Sequence, residues 1–319
     1  MGTARNPFHW RGTVTDLEGF VGRERELASI FARLQSLGCV SIVGERRIGK
    51  SSLAYQSYER SPKMLGSDCA SAFIDLLSSR HHTLDGLLGS IAEGLGVALA
   101  APAGGSAAEK LAAFEGRVRA LRKSGKLPVV FLDEFEGLAS RVEQFGDGLL
   151  ESWRSLGNDG QMAFVATSAR PMEEVTKQSE LTSSFYNIFG QVKLGEFTEL
   201  EARQFARHAV KVGGFELTDE AFLLRVGKQH PLRLQVAAWH LCEARHGGSV
   251  DYGRLADQAE DEIAGMMKGL RPTGSALPLG GGPIRTSPSF LSRSLPSSPR
   301  RWGAVGGHLG RRWNCGPPT

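Results

Sequence analysis

The chain has 319 residues, 41% of them hydrophobic, with 38 Lys plus Arg against 34 Asp plus Glu for a formal charge of +4. At about 100–200 residues per domain this is room for two compact units. The longest apolar stretches, such as residues 128–132, are strand-sized, whereas a membrane span needs about 20 residues. The opening residues 1–7 lack the apolar core of a secretory leader. The four cysteines (Cys39, Cys69, Cys242, Cys315) form no CxxC pair, which argues against a disulfide framework or a clustered zinc site and suits a reduced, cytoplasmic protein.

In chain order, the first strand pattern is Cys39-Val40-Ser41-Ile42-Val43, a short β-branched run ending at a glycine. Residues 72–76, 129–132 and 163–166 repeat it, and 191–194 is a weaker fifth. Helical spacing fills the intervals 84–95, 107–123 and 145–156. Strands separated by helix-length connections predict βαβ units, hence an α/β fold with a parallel sheet sandwiched by helices. After residue 197 the strands stop. Thr198-Glu199-Leu200-Glu201 is a capping box, and helices are expected over 218–226, from Pro231 to residue 245, and over 252–270. The expected organisation is an opening segment 1–36, an α/β domain 37–196, a small all-helical domain 197–270 and a tail 271–319. No internal repeat is visible.

The tail holds seven Arg, no Lys, no acidic residue and 8 of the 14 prolines, leaving the body at −3. Such a composition predicts disorder. The alternatives are a basic arm for phosphates or an acidic partner, and the product of a shifted reading frame in GC-rich DNA. The slightly acidic body has no nucleic-acid-binding surface by composition.

Residues 44–51, Gly-Glu-Arg-Arg-Ile-Gly-Lys-Ser, fit GxxxxGK[ST]. In such a loop backbone N–H groups cradle phosphates; Lys50 is expected to reach the β- and γ-phosphates and Ser51 to ligate Mg²⁺. A strand ends at Val43 and a helix opens near Lys50, aiming its dipole at the anion. Arg46 and Arg47, mid-loop, read as solvated or paired with nearby acids. Asp133 and Glu134 follow the strand 129–132, at a carboxyl end of the sheet where α/β proteins bind ligands. Asp133 suits Mg²⁺, directly or through water, and Glu134 suits the base that activates water. Glu136 reads as a surface or salt-bridging residue. Thr167-Ser168-Ala169-Arg170 offers a hydroxyl for the attacking water or γ-phosphate and an arginine to sense that phosphate, or else an ordinary capped helix start before Pro171. At His230-Pro231-Leu232-Arg233, Pro231 is placed to pack on a base and Arg233 to approach phosphates, or the stretch is a helix N-terminus with an exposed Arg. His9, His81, His82 and His208 have no ligand spacing.

Three stretches carry a family resemblance: Asn6-Pro7-Phe8-His9-Trp10-Arg11-Gly12, Phe20-Val21-Gly22-Arg23-Glu24-Arg25-Glu26, and the run from Ser41 through Lys50-Ser51-Ser52-Leu53. Together they resemble the bacterial AAA-like ATPases of the STAND class, related to the origin-recognition branch of AAA+ proteins, over roughly residues 6–265. The resemblance implies that Val21, Gly22 and Arg23 lie against the adenine. It gives Gly44, Glu45, Arg46, Arg47, Ile48, Gly49, Lys50, Ser51 and Ser52 to the phosphates, and Ser51 and Asp133 to Mg²⁺. Glu134, Lys50 and Arg170 become the catalytic set. Pro231 resembles the lid proline near the base, with Arg233 close by, although Gln229 replaces the glycine common two positions earlier. In the family, ATP against ADP sets the angle between the sheet domain and the helical lid, often controlling assembly. Members usually continue into a winged helix and further modules, whereas here the tail follows. The expected function is a slow Mg²⁺-dependent ATPase acting as a conformational signalling switch, binding nucleotide and open to self-association or a protein partner. The alternatives are a nucleic-acid-acting AAA+ ATPase (an initiator or transposition helper) and a truncated non-catalytic fragment. The Asp133-Glu134 pair speaks against a small-molecule kinase.

Overall fold

The apolar runs become the strands of one five-stranded sheet. The computed structural model describes residues 6–99, 105–145, 147–178 and 184–268. Helix α1 (Glu24–Leu34) leads into β1 (Cys39–Gly44), and α2 (Lys50–Leu65) into β2 (Cys69–Asp75). Helices α3 (Leu84–Gly94) and α4 (Ala107–Lys123) precede β3 (Leu127–Asp133). Short α5 (Glu136–Ala139) and α6 (Val142–Phe145), then α7 (Asp147–Asn158), precede β4 (Ala163–Ser168), and α8 (Met172–Gln178) precedes β5 (Phe189–Leu194). Four helices follow: α9 (Glu199–Gly213), α10 (Asp219–Gly227), α11 (Pro231–His246) and α12 (Tyr252–Lys268).

All strand pairs are parallel, in the order β2-β3-β4-β1-β5. The two-residue period of a strand sorts its side chains onto the two faces. Val130, Leu132, Phe164 and Ala166 enter one core with Leu87, Phe114 and Trp153 from α3, α4 and α7. Val129, Phe131, Ala163 and Val165 enter the other, with Ile30 of α1 and Leu53 of α2. Each fully buried Leu, Val or Phe here contributes about 1.5–3 kcal/mol. This is the parallel sheet sandwiched by helices that the sequence predicts, and it is the P-loop NTPase fold.

The edge strands explain the weaker patterns. In β5, Val192 and Leu194 are buried while Gln191 and Lys193 face solvent. Strand β2 starts at Cys69, before the apolar run, because Cys69, Ala70 and Ser71 already pair with Leu127, Pro128 and Val129. The helix expected over 145–156 is divided between α6 and α7. A third core, separate from the sheet, lies within α9–α12, and Phe8 and Phe197 insert into it. Among the described residues no helix is long and apolar enough to cross a membrane, and Cys39, Cys69 and Cys242 are free thiols. Met1–Arg271 form one compact unit. The arginine-rich tail, with its expected disorder, and the end of the last expected helix at 269–270 lie outside the described residues.

Candidate active site

The site begins with a glycine that must be a glycine. At Gly44, where β1 ends, a Cβ would lie 2.5 Å from the Leu194 carbonyl oxygen of the neighbouring strand. The chain then folds back through two left-handed residues, Arg47 (φ 65°) and Gly49 (φ 99°), with Ile48 buried in the core between them. Gly49 caps α2, so the helix opens at the loop, where its positive end favours an anion. Lys50 is buried, and its Nζ donates to the Glu45 carbonyl oxygen at 2.9 Å. Burial pushes its pKa down, while Glu134, Glu136 and Asp133 push it back up.

Strand β4 lies between β1 and β3, which places Thr167 beside the acidic pair. The fully buried Thr167 hydroxyl donates to Asp133 Oδ1 at 2.6 Å and accepts the Glu134 N–H at 2.9 Å. The Phe135 N–H donates to the Thr167 carbonyl at 2.9 Å. These bonds hold Glu134 in a left-handed conformation (φ 56°) that is uncommon outside glycine. Burial raises the Asp133 pKa, hydrogen bonds from the Thr167 and Ser51 hydroxyls pull it back, and the neighbouring Asp75 adds to the rise. Glu134 is also raised, first by burial and then by Asp133 and Glu136. Thr167 therefore positions the acids, and its donor is already committed, so it is not the free hydroxyl for water expected from the sequence. Glu136 is no surface ion-pairing residue either. Its Oε1 accepts the Ala169 N–H at 2.6 Å, and its Oε2 is buried without a partner.

A cavity of about 820 Å³ spans the distance from these groups to the helical bundle. Lys50, Ser51 and Glu134 line it on the sheet side, and Phe205, Pro231 and Leu232 on the bundle side. A segment with no regular secondary structure borders it. Phe8 stacks on Phe215 (centroids 5.5 Å apart) and Trp10 packs edge-on against Trp239 (4.8 Å). Further along, the Val14 N–H donates to Ser52 Oγ at 2.9 Å, and Gln56 Nε2 donates to the Val14 and Asp16 carbonyls. Residues 8–16 thus strap the bundle to α2. The Asn-Pro-Phe and Trp of this strap were visible in the sequence, but nothing local told which helices they join.

The remaining expected residues divide. Val21 lines the cavity, as do the exposed Arg46 and Arg47, the latter reaching Met266 Sδ of α12 at 3.3 Å. Gly22 (φ 80°) turns under the Glu201 side chain. Arg23 borders the cavity but is almost wholly buried, with its guanidinium on the Gly195 carbonyl (2.6 Å) and above the Phe197 ring (4.6 Å). Arg170 is exposed and does not line the cavity, and the Ser168 hydroxyl donates to its carbonyl at 2.6 Å. Arg233 is held within the bundle by the Val226 carbonyl and Glu260. Among the described residues no three His, Cys, Asp or Glu cluster as a metal cage. An Mg²⁺ ion takes one or two carboxylates and completes its shell with water and phosphate. The Asp133 carboxylate and the neighbouring Ser51 hydroxyl are a donor set of that hard-oxygen kind.

A family model described as "AAA domain" matches residues 33–171, from the end of α1 through β4. The match makes this stretch similar to an AAA domain. It contains the loop, the acidic pair and Thr167. Among solved structures, the Walker-type ATPase PABY2304 of Pyrococcus abyssi is similar at 19% identity, over 81% of this chain and 77% of that one, with a TM-score of 0.61. The Aeropyrum pernix ORC2 protein, solved as ADPNP–ADP complexes, is similar at 18% identity over 81% and 72%, with a TM-score of 0.60. The Aeropyrum pernix ORC1 protein in complex with DNA is similar at 17% identity over 76% and 66%, with a TM-score of 0.54. At these identities the likeness is one of fold. No curated protein sequence matches the chain.

Proposed function

We propose that the protein binds ATP and Mg²⁺ and hydrolyses ATP slowly, using the nucleotide state as a conformational switch. The observation that carries this reading is the convergence of Lys50, Ser51 and Glu134 on the wall of a cavity that the helical bundle also lines, with Asp133 buried beside them. Lys50, taken from the Glu45 carbonyl, would hold the β- and γ-phosphates, with the N–H groups of residues 47–51 around them. Ser51 and Asp133 would hold the metal, which supplies charge neutralisation to the phosphates. Glu134 would orient the attacking water and accept its proton, a role favoured by a carboxylate whose pKa burial raises above its ordinary value. Pro231 would pack on the base. A γ-phosphate between the sheet edge and the bundle would bias how closely the two approach, the kind of change that controls self-association or a protein partner. Arg170 and Arg233 lie outside the cavity, so their contact with phosphate would require that movement.

The test uses the purified full-length chain. Nucleotide released on denaturation is identified, and ATP turnover is followed with Mg²⁺. Lys50→Ala should weaken ATP binding by about 10–100-fold, the loss of a charged hydrogen-bond donor. Glu134→Gln should keep binding and slow turnover by about 10²–10⁴-fold. Unchanged turnover in both variants sinks the assignment, and a folded protein that neither holds nor hydrolyses nucleotide returns the non-catalytic reading. A second reading, action on nucleic acid, draws on the fold shared with an origin-recognition protein solved on DNA. The −3 charge of the body speaks against it. DNA binding that weakens steeply with salt would favour it.

A further inference from the structure

Arg23, Arg46, Arg47 and Arg141 line the cavity, and all but Arg46 are committed. Arg23 is held by the Gly195 carbonyl and Glu26, and Arg141 donates to the Gly137 carbonyl. The left-handed backbone at Arg47 (φ 65°) goes with a side chain that reaches Met266 of α12. Arg46 is exposed and has no hydrogen-bond or ion-pair partner among the described residues. It shares the cavity wall with Lys50 and Glu134. Both feel its charge, which helps to lower the Lys50 pKa and offsets part of the rise at Glu134. Such an influence across solvent fades beyond about 10 Å, so Arg46 stands at the sheet end of the cavity, away from its apolar bundle end.

We propose that Arg46 is a catalytic residue that binds the γ-phosphate in cis, so that one chain carries a complete hydrolytic site and turnover does not wait on self-association. A triphosphate whose γ-phosphate meets Lys50 and whose attacking water meets Glu134 has that phosphate between the two groups, and Arg46 is the uncommitted cation there. In the reaction the water oxygen bonds to the γ-phosphorus and Glu134 takes the proton. ADP leaves with the electron pair of the broken P–O bond. Charge spreads over the γ-phosphoryl oxygens on the way, and a guanidinium meets it with paired N–H donors in a planar fork. A γ-phosphate also competes with Glu134 for the Arg46 charge, which leaves the carboxylate a better base. This inference rests on the nucleotide reading above and deepens it. It asks no movement of Arg170 or Arg233, both outside the cavity.

The experiment follows single-turnover ATP hydrolysis and equilibrium binding of ATP and ADP, each with Mg²⁺, on the full-length chain. R46A should slow the hydrolytic step by about 10²–10³-fold. It should weaken ATP by no more than about tenfold and leave ADP unchanged, since ADP has no γ-phosphate. R46K should recover only a small part of the rate, because an ammonium cannot form the fork. K50A should weaken ATP and ADP together, Lys50 being assigned to the β-phosphate as well. An equimolar mixture of R46A and E134Q should stay as slow as its parts, whereas an arginine acting across a subunit boundary would restore turnover. R46Q takes the place of R46A should that variant fail to fold by circular dichroism. A wild-type rate in the folded variant, equal loss of ATP and ADP affinity, or recovery in the mixture overturns the assignment while leaving nucleotide binding standing. So does a wild-type chain that binds ATP without hydrolysing it. A wild-type chain that binds neither nucleotide fells the nucleotide reading itself, and this one with it.

Discussion

Thr167 shows how much one side chain can organise. Its hydroxyl and its carbonyl hold Asp133, Glu134 and Phe135 in place, and so impose a left-handed backbone on a glutamate. The result is a carboxylate kept where its charge is least welcome, half-buried beside Asp133 and Glu136. The sign of the pH dependence follows from the raised pKa. Below the ordinary value of 4.5 Glu134 is neutral in both folded and unfolded chains and has no effect on stability. As pH rises through the folded-state pKa, the unfolded chain has already released its proton and the folded chain must ionise at a cost. Glu134→Gln should therefore raise the melting temperature of the nucleotide-free protein at neutral pH, by about 2 °C given solvent screening of a half-exposed group. The gain should shrink to nothing toward pH 4.5. Melting curves at the two pH values decide it, and equal melting of variant and wild type at neutral pH contradicts the proposed strain. The acidic pair itself could be read from the chain because it follows a buried strand directly. The role of Thr167 could not, because its partners lie 33 and 34 positions away.

Among the elements, the turn into α1 carries more structure than its sequence suggests. Val21-Gly22-Arg23-Glu24 reads as a segment lying on the base, and Val21 does line the cavity. Arg23 joins parts of the chain far apart. Its N–H donates to Glu201 at 2.8 Å, its guanidinium donates to Gly195 and covers Phe197, and Nη1 pairs with Glu26 at 3.2 Å. It thereby fixes the N-terminus of α1 to the link between β5 and α9. Arg23→Ala should lower unfolding stability by about 2–3 kcal/mol, because the Gly195 carbonyl loses its partner and the Phe197 face its cover. Arg23→Lys should recover only part of this, since an ammonium cannot reproduce the planar fork. Denaturant midpoints measure both, and a full recovery by lysine would mean that charge alone matters. The Glu201 and Gly195 partners stand 178 and 172 residues away, beyond anything a local pattern encodes.

At the scale of the whole molecule, the strap of residues 8–16 makes the bundle and the sheet answer to one cavity. Trp10 borders that cavity and packs on Trp239 of the bundle. Adding ATP should change the intrinsic tryptophan fluorescence, and Trp10→Phe should remove most of the change; a response that survives the substitution would show that the strap does not sense the nucleotide. What the sequence determined alone is what local physics dictates. Continuous β-branched runs at helix-length spacing specify a buried parallel sheet, a glycine-framed loop turns the chain from β1 into α2, and a capping box opens α9. These need only neighbours along the chain. The tertiary structure decided the rest. The order of the strands, with β4 between β1 and β3, puts Thr167 against Asp133. Packing within the bundle turns Arg233 onto Glu260, while Arg170 is left outside the cavity. The reason is that adjacency across a sheet or between layers is chosen by the burial of whole faces. A residue's partner is then set by which faces close together, not by the residues beside it in the chain.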